Sequence, residues 1–177
     1  MEQICYSIVS ELVKQDNHIR GLAKALKTNQ MTMARKMRYL EEKNIVDYRK
    51  EGRNKVYFMK GSLEAEEYKS IVEHNKLMEI IAKNPRIRAI THSIKAKNNI
   101  ILAILFGSFA KGTAAKESDI DIYIETENSK IKEELQLLDS KISVKIGSFD
   151  KENLLIKEII KNHIILKGVD RYNELIH

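Results

Sequence analysis

The chain holds one cysteine, one proline and no tryptophan among 177 residues, and aromatic residues make up only 6% of it. A single cysteine excludes a disulfide scaffold, and Cys5 reads as a reduced thiol in a helix. A single proline excludes a proline-rich linker protein. The longest unbroken apolar run, Ile100–Phe106, is far shorter than the roughly 20 residues that cross a bilayer, so no membrane partner is expected. The opening MEQICYSIVSELVK mixes acids and bases on an amphipathic pattern and does not read as a signal peptide, which makes the cytoplasm the expected location. What is present suits a folded chain. Hydrophobic residues make up 43% and charged residues 32%, with a mean hydropathy of −0.38, which excludes wholesale disorder. The length allows one domain of about 150 residues or two small ones.

Charge is unevenly spread. Residues 1–62 carry 13 Lys+Arg against 7 Asp+Glu, while residues 63–177 carry 18 of each. The whole net charge of +6 therefore lies in the first third. That asymmetry points to a nucleic-acid-facing module joined to a neutral one. A lysine-rich solvated surface is the plainer reading of the same count.

Within that third, Ile4, Ile8, Leu12 and Val13 keep a helical stripe over residues 3–14, and Ile19, Leu22, Ala23 and Leu26 repeat it in a short second helix. Thr28-Asn29-Gln30 interrupts the pattern with turn formers. Met33, Met37 and Leu40 mark the inner side of a third helix over 31–43, whose other side carries Thr32, Arg35, Lys36 and Tyr39. Two strand-like runs follow, 45–49 and 55–59, around the turn Lys50–Asn54. Two helices parted by a tight turn, then a basic hairpin with the phrase EGRNKVYF, resemble a winged helix-turn-helix domain, here residues 1–61. The resemblance implies double-stranded DNA as a partner. It makes Thr32, Arg35, Lys36 and Tyr39 candidate groove contacts and Arg53 and Lys55 candidate wing contacts. A winged helix used for protein contacts or dimerisation is the alternative.

Residues 62–84 read as a connector helix, with Ser62 as N-cap, acids in the first turn, and Ile71, Leu77, Met78, Ile81 and Ala82 as its apolar side. Asn84-Pro85 ends it. Pairing of this helix with its twin would give a homodimer; packing on its own chain is the plainer expectation. A further helix over 86–97 carries Ile87, Ile90 and Ile94.

The strongest chemical signal lies in residues 100–125. Ile100–Phe106 reads as a buried strand that Gly107-Ser108 ends abruptly, with a helical turn after it. Ser118–Ile124 then alternates with period two, which puts Asp119, Asp121 and Tyr123 on one side and Ile120, Ile122 and Ile124 on the other. Carboxylates two apart on a strand can converge on Mg²⁺. Gly107 leaves room for a phosphate against the backbone, and Ser108 offers a hydroxyl and an amide.

The segment GSFAKGTAAKESDIDIYI resembles the nucleotidyltransferase (polymerase-beta-like) superfamily, specifically its minimal, Mnt-like branch: a strand, a Gly-Ser turn, a spacer, then Asp-x-Asp on the next strand. The domain is set at 85–177, and the fold class of the whole is α/β (α+β) and multidomain. The resemblance implies attack of an acceptor on the α-phosphorus of a nucleoside triphosphate (NTP), with Mg²⁺ or Mn²⁺ as cofactor. It gives Gly107 and Ser108 to the triphosphate and Asp119 and Asp121 to the metals and catalysis. Many members carry Arg after the Ser; here Phe109 stands there, and Lys111 is the cation left for the phosphate side. Active members have a third carboxylate on a later strand. The matching strand, 142–146, offers Ser143 and Lys145 on that face. Asp139 and Asp150 flank it, and Glu125 lies further along the Asp121 face. Lys145 is a candidate to replace part of a metal's charge.

The remainder reads as scaffold. Helices are expected over 129–138 (Ile131, Leu135, Leu138) and 150–162 (Leu154, Leu155, Ile159, Ile160), then a strand at 164–166 and a last helix. His18, His74, His92, His163 and His177 lack metal-site spacing and read as surface or packing residues. Gly107–Gly112 is not a Walker loop. Three functions fit: a metal-dependent nucleotidyltransferase with a DNA-binding head, a DNA-binding regulator whose transferase-like domain senses a nucleotide, and an antitoxin-like partner of a helical toxin or other protein acceptor.

Overall fold

In the computed structural model, which describes residues 3–126 and 128–176, the chain divides into two compact units, Met1–Val72 and Glu73–His177. His177 lies outside the described residues. The first unit begins with helix α1 (Gln3–Lys14), whose buried side is Cys5, Ile8, Val9 and Leu12. Val13, expected on that stripe, is 52% exposed. A two-residue strand β1 (Asn17–His18) leads into α2 (Ile19–Ala25) and α3 (Gln30–Glu42). The Asn29 side chain caps α3 by accepting from the Thr32 N–H at 2.7 Å, which satisfies one of the unpaired donors at the helix start.

Strands β2 (Val46–Glu51) and β3 (Asn54–Met59) form a hairpin that closes tighter than the five-residue turn expected from sequence. Glu51 pairs with Asn54, so only Gly52 and Arg53 make the turn. Gly52 stands at φ +59°. The sheet order is β1-β3-β2. The sequence shows no strand at 17–18 because two polar residues carry no periodicity.

Helix α4 (Leu63–Lys83) is unbroken across the expected connector. Ser62 caps it, accepting from the Ala65 N–H. Its inward side follows the expected one in part: Leu77 is buried as expected, Val72 is buried as well, and Ile71 and Met78 are exposed.

The second unit holds α5 (Pro85–Lys95), β4 (Leu102–Phe106), α6 (Gly107–Lys111), β5 (Ile120–Glu125), α7 (Lys130–Gln136), β6 (Ile142–Ile146), α8 (Leu154–Lys161), β7 (Ile164–Lys167) and α9 (Val169–Ile176). The strand order is β6-β5-β4-β7, with β5 and β6 parallel and the other pairs antiparallel. All five β4 residues are buried, because both faces of the sheet are covered. One face packs Leu105, Ile122 and Val144 against Ile87, Ile90 and Ile94 of α5 and Ile131 and Leu135 of α7. The other packs Ile104, Phe106 and Tyr123 against Ile156 and Ile159 of α8 and Val169 and Tyr172 of α9. Leu138 and Leu154, expected inward, are 53% and 84% exposed. The helices that hold them are shorter than expected, and Leu138 falls past the end of α7.

Candidate functional site

Register builds the acidic site. In the antiparallel pairing of β4 and β5, Phe106 stands opposite Asp121. The residues just past each strand end, Gly107-Ser108 and Asp119, therefore meet at the same edge of the sheet. The strand then turns directly into α6, and Gly112 ends that helix in the left-handed conformation. Gly107 itself stands at φ +69°, and a Cβ there would lie 2.4 Å from Oδ2 of Asp121. The glycine is thus required by the carboxylate of Asp121, which occupies the space a side chain would take.

Asp121 is half-buried and Asp119 exposed. Burial raises the Asp121 carboxyl above its ordinary value; a hydrogen bond from Ser143 opposes this, the charge of Asp119 adds to it, Lys145 opposes it and Glu158 adds to it. Like charges and desolvation thus both press on one carboxylate, the condition a bound cation would relieve.

Pairing sets what stands beside Asp121 on the next strand. Asp121 pairs with Ser143 and Tyr123 with Lys145 across β5 and β6, so a hydroxyl stands beside Asp121. The flanking acids are engaged elsewhere. Asp139 accepts from Arg86 at 2.6 Å and from the Lys141 N–H, Asp150 accepts from the Glu152 N–H, and Glu125 is held by both ends of the Arg171 guanidinium at 3.0 Å. Lys111 donates to Oε1 of Glu158 at 2.7 Å, a partner on α8 that sequence reasoning missed. The two are 47 residues apart, and no local pattern links them. Among the described residues, no group of three or more His, Cys, Asp or Glu is arranged to hold a metal ion.

In the first unit, Arg35 and Tyr39 open to solvent on α3, together with Met31 and Arg38. Thr32 is partly covered, and Lys36 is only 8% exposed. Lys36 shares the buried side of α3 with Met33, Met37 and Leu40, and the sequence gives no sign of this because its long apolar stem packs like a hydrophobe. Arg53 sits at the hairpin tip, and Lys55 lies 3.5 Å from the centroid of the Tyr48 ring, a cation–π contact. An open cleft of about 530 Å³ beside the start of α3 is lined by Arg20, Ala23, Lys24, Thr28, Asn29 and Gln30.

Residues 88–172 match the family described as Polymerase beta, Nucleotidyltransferase. The matched stretch contains residues Gly107 to Glu158 and all four strands of the sheet. Among solved structures, a chain of "Crystal structure of the toxin-antitoxin with AMP-PNP" is similar at 23% identity, covering 57% of this chain and 77% of that one, with a TM-score of 0.36. No curated protein matches the sequence. Among the described residues, no helix is long and apolar enough to cross a membrane.

Proposed function

We propose that the Glu73–His177 unit transfers a nucleoside monophosphate from an NTP to an acceptor with the help of a divalent cation, and that the Met1–Val72 unit is a winged helix-turn-helix module that binds duplex DNA. The observation that carries the first reading is the seat of the Asp121 carboxylate: against Gly107, near Asp119, at the edge where a strand turns into a helix. Two carboxylates fit Mg²⁺, which is commonly held by one or two acids together with substrate phosphates. Burial raises Asp121 and the charge of Asp119 adds to it, and a cation would relieve both. Bound there, Mg²⁺ would neutralise charge developing on the α-phosphate. Asp119 and Asp121 hold the cation, the Gly107–Ser108 turn receives the triphosphate, and Lys111 pairs with it. The acceptor oxygen attacks the α-phosphorus and pyrophosphate leaves.

Labelled NTPs with Mg²⁺ and candidate acceptors test this. Label transfer by the native protein and none by the Asp119→Ala/Asp121→Ala variant supports it; equal transfer by both overturns it. Ser143 favours a second reading, in which the site binds a nucleotide and reports it to the DNA-binding unit with little turnover, since a general base worth ~10²–10⁴-fold is missing beside Asp121. Saturable nucleotide binding without label transfer selects that reading.

For the first unit, the local charge excess and the open Arg35, Tyr39, Arg53 and Lys55 support duplex binding. A gel shift whose affinity falls steeply with salt, and is weakened by Arg35→Ala, is expected. A salt-insensitive shift, or none, overturns it.

A further inference from the structure

Lys111 is the last residue of α6, the short helix that starts at Gly107. Its ammonium is already committed: it donates to Oε1 of Glu158 at 2.7 Å, with the two side chains 41% and 53% exposed. Glu158 lies on α8, whose Ile156 and Ile159 pack under the sheet face that carries Asp121. The Lys111 hydrogen bond holds the Glu158 carboxyl below its ordinary value, and the same carboxylate adds its charge to that of Asp119 in acting on Asp121. A carboxylate on a helix, not on β6, therefore stands beside the cation that ends α6, the helix that begins at Gly107.

We propose that Glu158 is a built-in counter-ion that competes with a triphosphate for Lys111, so that nucleotide binding exchanges the lysine from the carboxylate to a phosphate. This rests on the reading of the acidic edge as a nucleotide site. Exposed ion pairs are weak and readily exchanged, and a triphosphate carries several times the charge of one carboxylate, so the lysine transfers to it. Glu158 therefore lowers affinity in proportion to phosphate charge, and it leaves the base and sugar untouched because it acts through the phosphate-side cation Lys111.

Calorimetric titration of the full chain with ATP, GTP, CTP and UTP in Mg²⁺, and with the matching nucleosides, tests the exchange. Glu158→Gln keeps the size and shape of the side chain and removes the charge. It is expected to tighten NTP binding about two- to fivefold, the affinity equivalent of one exposed ion pair, and to leave the nucleoside unchanged. Lys111→Met is expected to weaken NTP binding. Unchanged or weaker NTP binding in Glu158→Gln, or an equal change for the nucleoside, overturns the proposal while the nucleotide-site reading stands. Failure of the native chain to bind any of the four NTPs defeats the site reading itself, and the proposal falls with it.

Discussion

Replacing Gly107 with alanine isolates the contact on which the acidic edge is built. Two costs follow from the structure. The backbone stands at φ +69°, and an L-residue in left-handed geometry costs about 1–2 kcal/mol. The new Cβ would also lie 2.4 Å from Oδ2 of Asp121, so the carboxylate must leave its seat and give up the hydrogen bond from Ser143, a loss of roughly 1 kcal/mol. The total is about 2–3 kcal/mol. Amide hydrogen exchange in β4 and β5 reads this unit by itself, and the slowest amides should exchange about 30- to 150-fold faster. In an Asp121→Ala background the carboxylate is gone and only the backbone cost remains, so Gly107→Ala should accelerate exchange only about tenfold relative to that background. The two substitutions must therefore be non-additive by about 1 kcal/mol. Equal costs in both backgrounds would refute the argument that Asp121 is what requires the glycine.

Three other outcomes can be checked directly. Arg35→Ala should weaken duplex DNA binding without lowering stability because the side chain is exposed, whereas Lys36→Ala should lower the urea midpoint because Lys36 is 8% exposed; the reverse pattern in paired gel-shift and denaturation series would sink this assignment of faces. Burial raises Asp121 above its ordinary 3.8, so the folded state holds this proton more tightly than the unfolded one. The stabilisation is complete below pH 3.8 and is lost as pH rises through the folded-state value; urea midpoints should therefore fall relative to Asp121→Asn across that window, and a rise would contradict the burial argument. His163→Leu removes the side chain whose Nε2 lies 3.4 Å from the buried Glu73 carboxylate and keeps Lys76, 2.6 Å from Glu73 Oε1. A loss of about 1–3 kcal/mol is expected, the cost of leaving a buried polar group with fewer partners, and a neutral result in thermal unfolding would show that Glu73 does not depend on His163.

Particular residues show why some of this was legible in sequence and some was not. The alternation from Asp119 to Ile124 was readable because every second residue enters a core. The same parity placed Ser143, not an acid, beside Asp121, as the β5–β6 register shows. At Gly107 the sequence shows only a residue without a Cβ; that the Asp121 carboxylate lies 2.4 Å from where a Cβ would stand is a contact between residues 14 apart that no local pattern encodes. A lysine is read by its usual exposure, yet Lys36 lies on the inner side of α3. His163, expected at the surface or in packing, packs beside Glu73 with Nδ1 3.3 Å from the Tyr172 hydroxyl. The Lys111–Glu158 pair joins α6 to α8, and long-range ion pairs of this kind leave no periodicity to find.

Ser143→Asp puts a third carboxylate next to Asp121 across parallel strands. Its consequences separate charge from chemistry. Without a cation, the new carboxylate joins a carboxyl already raised by burial and by its neighbours Asp119 and Glu158, and it removes the Ser143 hydrogen bond that opposes that rise. The variant should be about 1–2 kcal/mol less stable at neutral pH. Acidification should erase the deficit, since protonation of one partner removes the repulsion. Saturating Mg²⁺ should also erase it, because a cation that binds only the folded site stabilises by mass action, and three acids bind it better than two. Where label transfer is measurable in the native chain, the variant should gain part of the ~10²–10⁴-fold that a positioned base provides. A variant that melts at the same temperature with and without Mg²⁺ would show that the edge formed by Asp119, Asp121 and residue 143 does not converge on a cation. It would locate the function of the unit elsewhere on the fold, whatever its resemblance to a transferase.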